Sequence, residues 1–208
     1  MNERLSSPAA LRNRGPILAV LQAHLPASGV LLEVASGTGE HVIHFAEHLP
    51  GWFFQPSDID PDRRRSIEAW AQGRGNIRPA VALDTTGAWP EGRIDAVLCC
   101  NMIHIAPWQA AIGLIEGAAR VLRPQGKLML YGPFRRDGAH TAPSNAAFDA
   151  DLRHRNPSWG IRDLEAVASL ANLAGFTAPE IVTMPANNFC LLFTFDPSPL
   201  IAVAHAPK

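Results

Sequence analysis

Three carboxylates stand out because each closes an apolar run: Glu33 after "VLL", Asp58 after "WFFQPS" and Asp84 after "AVAL". Carboxylates at such places accept hydrogen bonds from hydroxyls and amines, and they attract a cation. Between the first two lies "ASGTGEH", a turn of small residues that lets a ligand approach the backbone at a helix start. Asn101 and His104 follow a fourth run, "IDAVLCC". A buried amide such as Asn101 needs partners, which the polar end of a ligand can supply. His104, with an ordinary pKa near neutrality, is the side chain best suited to take up a proton there; a satisfied structural histidine is the alternative.

These residues act together only if strands and helices bring them to one edge. Short β-rich runs alternate with helical spacing, the pattern of a parallel sheet covered by helices. The spacing predicts strands over 30–34, 52–55, 78–83, 94–100 and 127–131, each but the third followed by a helix. A helix over 108–123 stops at Pro124-Gln125-Gly126, with glycine accepting the left-handed cap. Another over 161–174 ends at Gly175, and "PEIVTM" and "NFCLLFTF", joined by "PANN", read as a terminal antiparallel hairpin. The expected fold is α/β, a doubly wound Rossmann-like sheet. Residues 1–208 read as a single domain in which 133–160 form a substrate loop or lid, with a short helix over 145–153.

Composition narrows the chemistry. With 208 residues, 47% hydrophobic and 18% charged, the chain can build a sizeable core. A net charge of -1 gives no general attraction to nucleic acid or to acidic membrane surfaces, and Arg63-Arg64-Arg65 beside Asp60 and Asp62 reads as a solvated helix start. The three cysteines lack C-x-x-C spacing and suit reduced thiols. No stretch resembles a secretory leader or a membrane span, so a cytoplasmic protein is expected.

The charges around the turn distinguish between ligands. Gly37-Thr38-Gly39 supplies two glycines of a dinucleotide fingerprint, but Val42 holds the third position. Glu33 and Glu40 would oppose a pyrophosphate and welcome a cation, although Glu40 also favours the helix dipole. S-adenosylmethionine is a cationic nucleoside without phosphate. Asp58, 19 residues beyond Gly39, is placed for its ribose hydroxyls, Asp60 for capping the next helix before Pro61, and Ile59 for the adenine face. Asp84 suits the exocyclic amine, the Thr85 backbone N–H a ring nitrogen, and Asn101 the amino-acid end. Ala35, Ser36, Gly37, Gly39 and Met102 complete the expected cofactor site, with S-adenosylhomocysteine as product.

These segments resemble the motifs of class I S-adenosylmethionine-dependent methyltransferases: "LLEVASGTGEH" is similar to the first, "PSDID" the second, "ALDTT" the third and "IDAVLCCNMIHI" the fourth. Ala35 stands where that family often has glycine, a small cost if its backbone is ordinary. The phrases "RNRGPIL", "WFFQPSDID", "NMIHIAPW", "YGPF", "FDADLR", "PSWGIRD" and "MPANNF" resemble, more specifically, a methyltransferase-like family of bacteria and animals formerly listed as a domain of unknown function. The resemblance implies a seven-stranded sheet whose last strand is antiparallel, and methyl transfer as the activity.

For the acceptor, Tyr131, Phe134, Asn145, Phe148, Asp149, Trp159, Arg162 and Asn187 offer aromatic walls and polar groups suited to a small molecule. Phe148 and Trp159 could equally anchor the loop, and Asn187 could simply form the hairpin turn. His41, His44 and His48 share a helix face, but without H-E-x-x-H no metal is expected. Asn101 is followed by Met-Ile-His instead of the Asn-Pro-Pro-aromatic run of base methylation, so no nucleic-acid substrate is expected. The competing readings are an NAD(P)-dependent oxidoreductase and a non-catalytic cofactor-binding adapter. No oligomeric state is specified.

Overall fold

The computed structural model describes residues 4–197. Runs rich in aliphatic and aromatic residues form β1 (Gly29–Val34), β2 (Trp52–Pro56), β3 (Ile94–Cys100), β4 (Leu122–Gly132), β7 (Glu180–Met184) and β8 (Asn188–Thr194). They pair in the order β2-β1-β3-β4-β8-β7. β2, β1, β3 and β4 are parallel, and β8 runs antiparallel to both its neighbours. The order reverses between β1 and β3, where doubly wound sheets bind ligands. Side chains alternate across the strands, so two cores form. One packs α4 (Trp108–Val121) and α6 (Leu164–Leu173) on one face, and the other packs α1 (Pro8–His24), α2 (Glu40–His48) and α3 (Pro61–Ala71) on the opposite face. α5 (Pro143–Arg155) and a two-residue hairpin, β5 (Arg135–Arg136) with β6 (Ala139–His140), occupy the segment beyond β4.

Among the described residues the sheet has six strands, not seven. Segment 78–83, expected as a strand, runs beside β2 but makes only isolated bridges, Ser57 to Val81 being one. Pro56 and Pro79 each lack an amide hydrogen, so the ladder cannot continue there. The bend after α4 also differs from expectation. The helix ends at Val121, and Gln125 (φ 68°), not Gly126, takes the left-handed conformation. Gly126 is needed for space, because a Cβ there would lie 2.8 Å from the Arg123 carbonyl oxygen. Ala35 has φ 56°, so its backbone is strained for an L residue, contrary to the expectation of an ordinary conformation.

Candidate active site

The turn after β1 is knitted to the end of β2 by small polar groups. The Ser36 N–H donates to the Ser57 carbonyl (2.8 Å), the Ser57 N–H to the Glu33 carbonyl (3.0 Å), and both serine hydroxyls also donate to Glu33 O. Gly39 (φ 93°) starts α2, and a Cβ there would sit 3.0 Å from the Ile67 backbone. Asp58 ties the two loops together: Oδ2 accepts from the Gly37 N–H (2.9 Å) and Oδ1 from the Asp60 N–H (3.0 Å). Asp60 caps α3 by accepting from the Asp62 N–H. Arg64 donates to the carbonyls of Asp58 and Ile59, bracing the acid loop from behind its own helix turn.

A crevice of about 570 Å³ opens between these loops. Of the expected cofactor residues, Ala35, Gly37, Asp58, Ile59, Asp84, Thr85 and Met102 line it. Glu33, Ser36, Gly39 and Asn101 do not, and neither do His104 nor the expected acceptor residues. Its walls are mostly apolar, with Leu83, Ile105 and Pro107 among them, while Asp60 and Arg63 add charge and Cys100 contributes from β3. The Asp84 Oδ1 accepts from both the Thr86 N–H and hydroxyl, which holds that carboxyl below its ordinary pKa. Thr85 donates from its hydroxyl to the Ala110 carbonyl and so fixes the opposite wall.

On the α1–α2 face lies a buried polar group of a different kind. Glu33 is fully buried, and burial pushes its pKa up to about 8. Its Oε2 has no hydrogen-bond partner, and its Oε1 lies 3.7 Å from His41 Nδ1. Burial lowers the His41 pKa to about 4, so the ring is neutral near pH 7. Its Nε2 is 2.7 Å from Asn13 Oδ1. An amide oxygen only accepts, so Nε2 carries the proton and Nδ1 is bare toward Glu33. Two acceptors facing each other require a proton or a cation at Glu33. Asn13 also hydrogen-bonds the buried Tyr131 hydroxyl.

His104 is buried and lies in the 3-10 turn Met102–His104, which opens at Asn101 (φ 63°). Its Nδ1 accepts from the Arg162 N–H, which puts the ring proton on Nε2, an atom without a partner. Burial, then the Arg162 charge, takes its pKa down to about 3. A group so poised does not take up a proton near neutrality, which runs against the expectation of a base. The expected acceptor residues are scattered. Phe134 belongs to the core and meets His104 edge-on. Asn145 donates to the Asn187 carbonyl, joining α5 to the β7–β8 turn. Asp149 accepts from the Ile161 N–H and from Arg153, and Arg162 donates to the carbonyls of Ile103 and Ala106. Phe148 is exposed and Trp159 stacks with Arg155.

Residues 4–195 match the family model described as "Protein of unknown function (DUF938)". The chain belongs to this family. Among solved structures, this DUF938 protein is similar to an O-methyltransferase family protein from Burkholderia thailandensis, with 17% identity and TM-score 0.77 over 90% of the chain. It is similar to human N-acetylserotonin methyltransferase in complex with S-adenosylmethionine, with 14% identity and TM-score 0.77 over 90% of the chain. CalO1, a methyltransferase in calicheamicin biosynthesis with S-adenosylhomocysteine bound, aligns over 89% at 16% identity and TM-score 0.70. The chain spans 57%, 53% and 54% of these proteins, little more than half of each. The DUF938 chain thus has the class I S-adenosylmethionine-dependent methyltransferase fold.

Several residues escaped the sequence reading of this DUF938 protein. In sequence Arg64 is indistinguishable from its neighbours in a solvated charge run, and only its bonds to the acid loop set it apart. Asn13 carried no signal, because its partners His41 and Tyr131 are distant in sequence. His41 leaves the histidine face of α2 for Asn13, while His44 and His48 come together with Glu47 instead. Glu40 does more than favour the helix dipole: its carboxylate accepts from Ser6, Ser7 and Thr38 and straps the N-terminal segment to the turn.

Proposed function

We propose that this protein transfers a methyl group from S-adenosylmethionine to a small-molecule acceptor. The observation that carries the reading is the crevice beyond β1 and β3, apolar within and acidic at Asp58, Asp60 and Asp84, with the unpartnered Glu33 carboxylate oxygen under the same turn. A cationic nucleoside fits this donor and acceptor set. Each carboxylate oxygen accepts two bonds, so Asp58 keeps capacity for ribose hydroxyls after binding two backbone N–H groups, and Asp84 keeps Oδ2 for the adenine amine. Ile59 and Met102 would cover the ring, and Glu33, buried beneath the turn, would meet the ammonium group. When bound, S-adenosylmethionine supplies an electrophilic methyl on a positively charged sulfur. The chain's own part is alignment and exclusion of water, which suffice for much of an in-line displacement. His104 serves as a buried structural residue whose Nδ1 accepts from the Arg162 N–H, and residues 133–160 act as the lid.

Titration calorimetry tests this directly. S-adenosylhomocysteine should bind with micromolar affinity and NAD should not, and labelled S-adenosylmethionine should pass its methyl to a small molecule of a metabolite extract. Preference for NAD would transfer the site to the oxidoreductase reading, and tight binding without turnover would favour the adapter.

A further inference from the structure

Away from the crevice, the last turns of α2 gather two imidazoles and a carboxylate. His44 and His48 stand four residues apart, so they share one helix face, and Glu47 lies beside them. A ring nitrogen of each histidine and a carboxylate oxygen of Glu47 lie within 4.8 Å of one another, and the two ring centroids are 4.5 Å apart. Glu47 and His48 are exposed and His44 partly so, which opens the cluster to solvent. The run His44-Phe45-Ala46-Glu47-His48 is H-x-x-E-H, the reverse of H-E-x-x-H and likewise a spacing that holds zinc on a helix.

The side chains are set for a ligand. His48 Nδ1 lies 2.8 Å from the His44 carbonyl oxygen; a carbonyl only accepts, so Nδ1 carries the proton and Nε2 is left with a lone pair. A ring N–H donated to a backbone carbonyl is the support that metal-bound histidines have. His44 Nε2 is shielded from solvent and has no hydrogen-bond partner among the described residues, so a polar atom is withdrawn from water with nothing in its place. Glu47 gives Oε1 to Arg74 at 2.6 Å, a bond that fixes the side chain and does not use Oε2. The carbonyls that end α2 add a negative field at the same turn.

We propose that this face of α2 binds one transition-metal ion of the zinc class, with His44 Nε2 and His48 Nε2 as nitrogen ligands, the Glu47 carboxylate as oxygen ligand and water in the remaining position. Imidazole suits zinc, nickel and copper, whereas magnesium takes oxygen ligands. Zinc–nitrogen bonds put two ligands of a tetrahedron roughly 3.4 Å apart. Side-chain rotation closes the cluster to that spacing from the 4.8 Å within which its atoms already lie. The bound ion ties two successive turns of α2 together, so it stabilises the folded chain.

The test titrates zinc ion into the full chain, first stripped with a chelator and kept reduced. One ion per chain should bind saturably, excess magnesium should not displace it, and the melting temperature should rise with zinc. The double variant His44→Gln/His48→Gln should bind zinc at least about 10-fold more weakly and lose the rise in melting temperature. His24→Gln, which removes an imidazole from α1, should keep both. Copper(II) added to the wild type should show imidazole nitrogen couplings in its electron paramagnetic resonance spectrum, a signature that depends on no variant. The proposal is overturned if the wild type binds no zinc at micromolar concentrations, if magnesium displaces the ion, if the copper spectrum shows no imidazole nitrogen, or if the double variant binds zinc as the wild type does.

Discussion

The ends of β1 and β2 present two carboxylates almost equally withdrawn from solvent, Glu33 at 1% exposure and Asp58 at 7%, in surroundings that differ in kind. Asp58 receives a backbone N–H on each oxygen, and Arg64 braces the loop beneath it. Glu33 has an unpartnered oxygen and a neutral histidine whose bare nitrogen faces it. Burial alone therefore does not decide what a carboxylate is for. Donors make Asp58 a strut of the loop as well as an acceptor, whereas their scarcity leaves Glu33 holding a proton that a cationic ligand can displace.

The contrast can be broken by substitution. The largest effect is expected from Asp58→Ala, which strands two backbone N–H groups. Urea unfolding should show a loss of about 2 to 4 kcal/mol, together with loss of S-adenosylhomocysteine binding. Glu33→Gln should do the opposite to stability at alkaline pH. The folded-state pKa of Glu33 is raised from 4.5 to about 8, so its contribution is fully present below pH 4.5 and is lost as pH rises through 8. At pH 9 the Gln variant should exceed the wild type by at least about 1.4 kcal/mol, the worth of one pKa unit.

The acid side sharpens the comparison through the two buried histidines. His41 and His104 have folded-state pKa values of about 4 and about 3, below the ordinary 6.5. Their unfolded forms bind protons first, so stability should fall as pH drops from 6.5 toward 4, and His104→Gln should flatten that slope in a pH series of thermal melts. The smallest change is Ala35→Gly, which relieves a left-handed alanine. It should raise stability by about 1 kcal/mol.

The parts of the site that could be read from sequence are those built from neighbours. Ala35, Gly37, Asp58, Ile59, Asp84 and Thr85 come together around the crevice, and Asp60 caps its helix as expected. What escaped depends on distance or on backbone chemistry. α1 carries Gly15 and Pro16, residues that disfavour a helix interior, and the Asn13 link to His41 spans 28 residues, so neither is legible from neighbours in sequence. The lost strand over 78–83 follows from prolines whose effect is felt only when two segments lie side by side. The assignment of His104 as a base rested on its ordinary pKa, which burial against Phe134 removes.

The proton held by Glu33 gives the most direct test. S-adenosylhomocysteine should be titrated into the protein at pH 7 in buffers of differing ionisation enthalpy, so that the heat counts protons released on binding. The wild type should release about one proton per ligand and Glu33→Gln none. Absence of binding, or the same proton count in both proteins, would contradict the account.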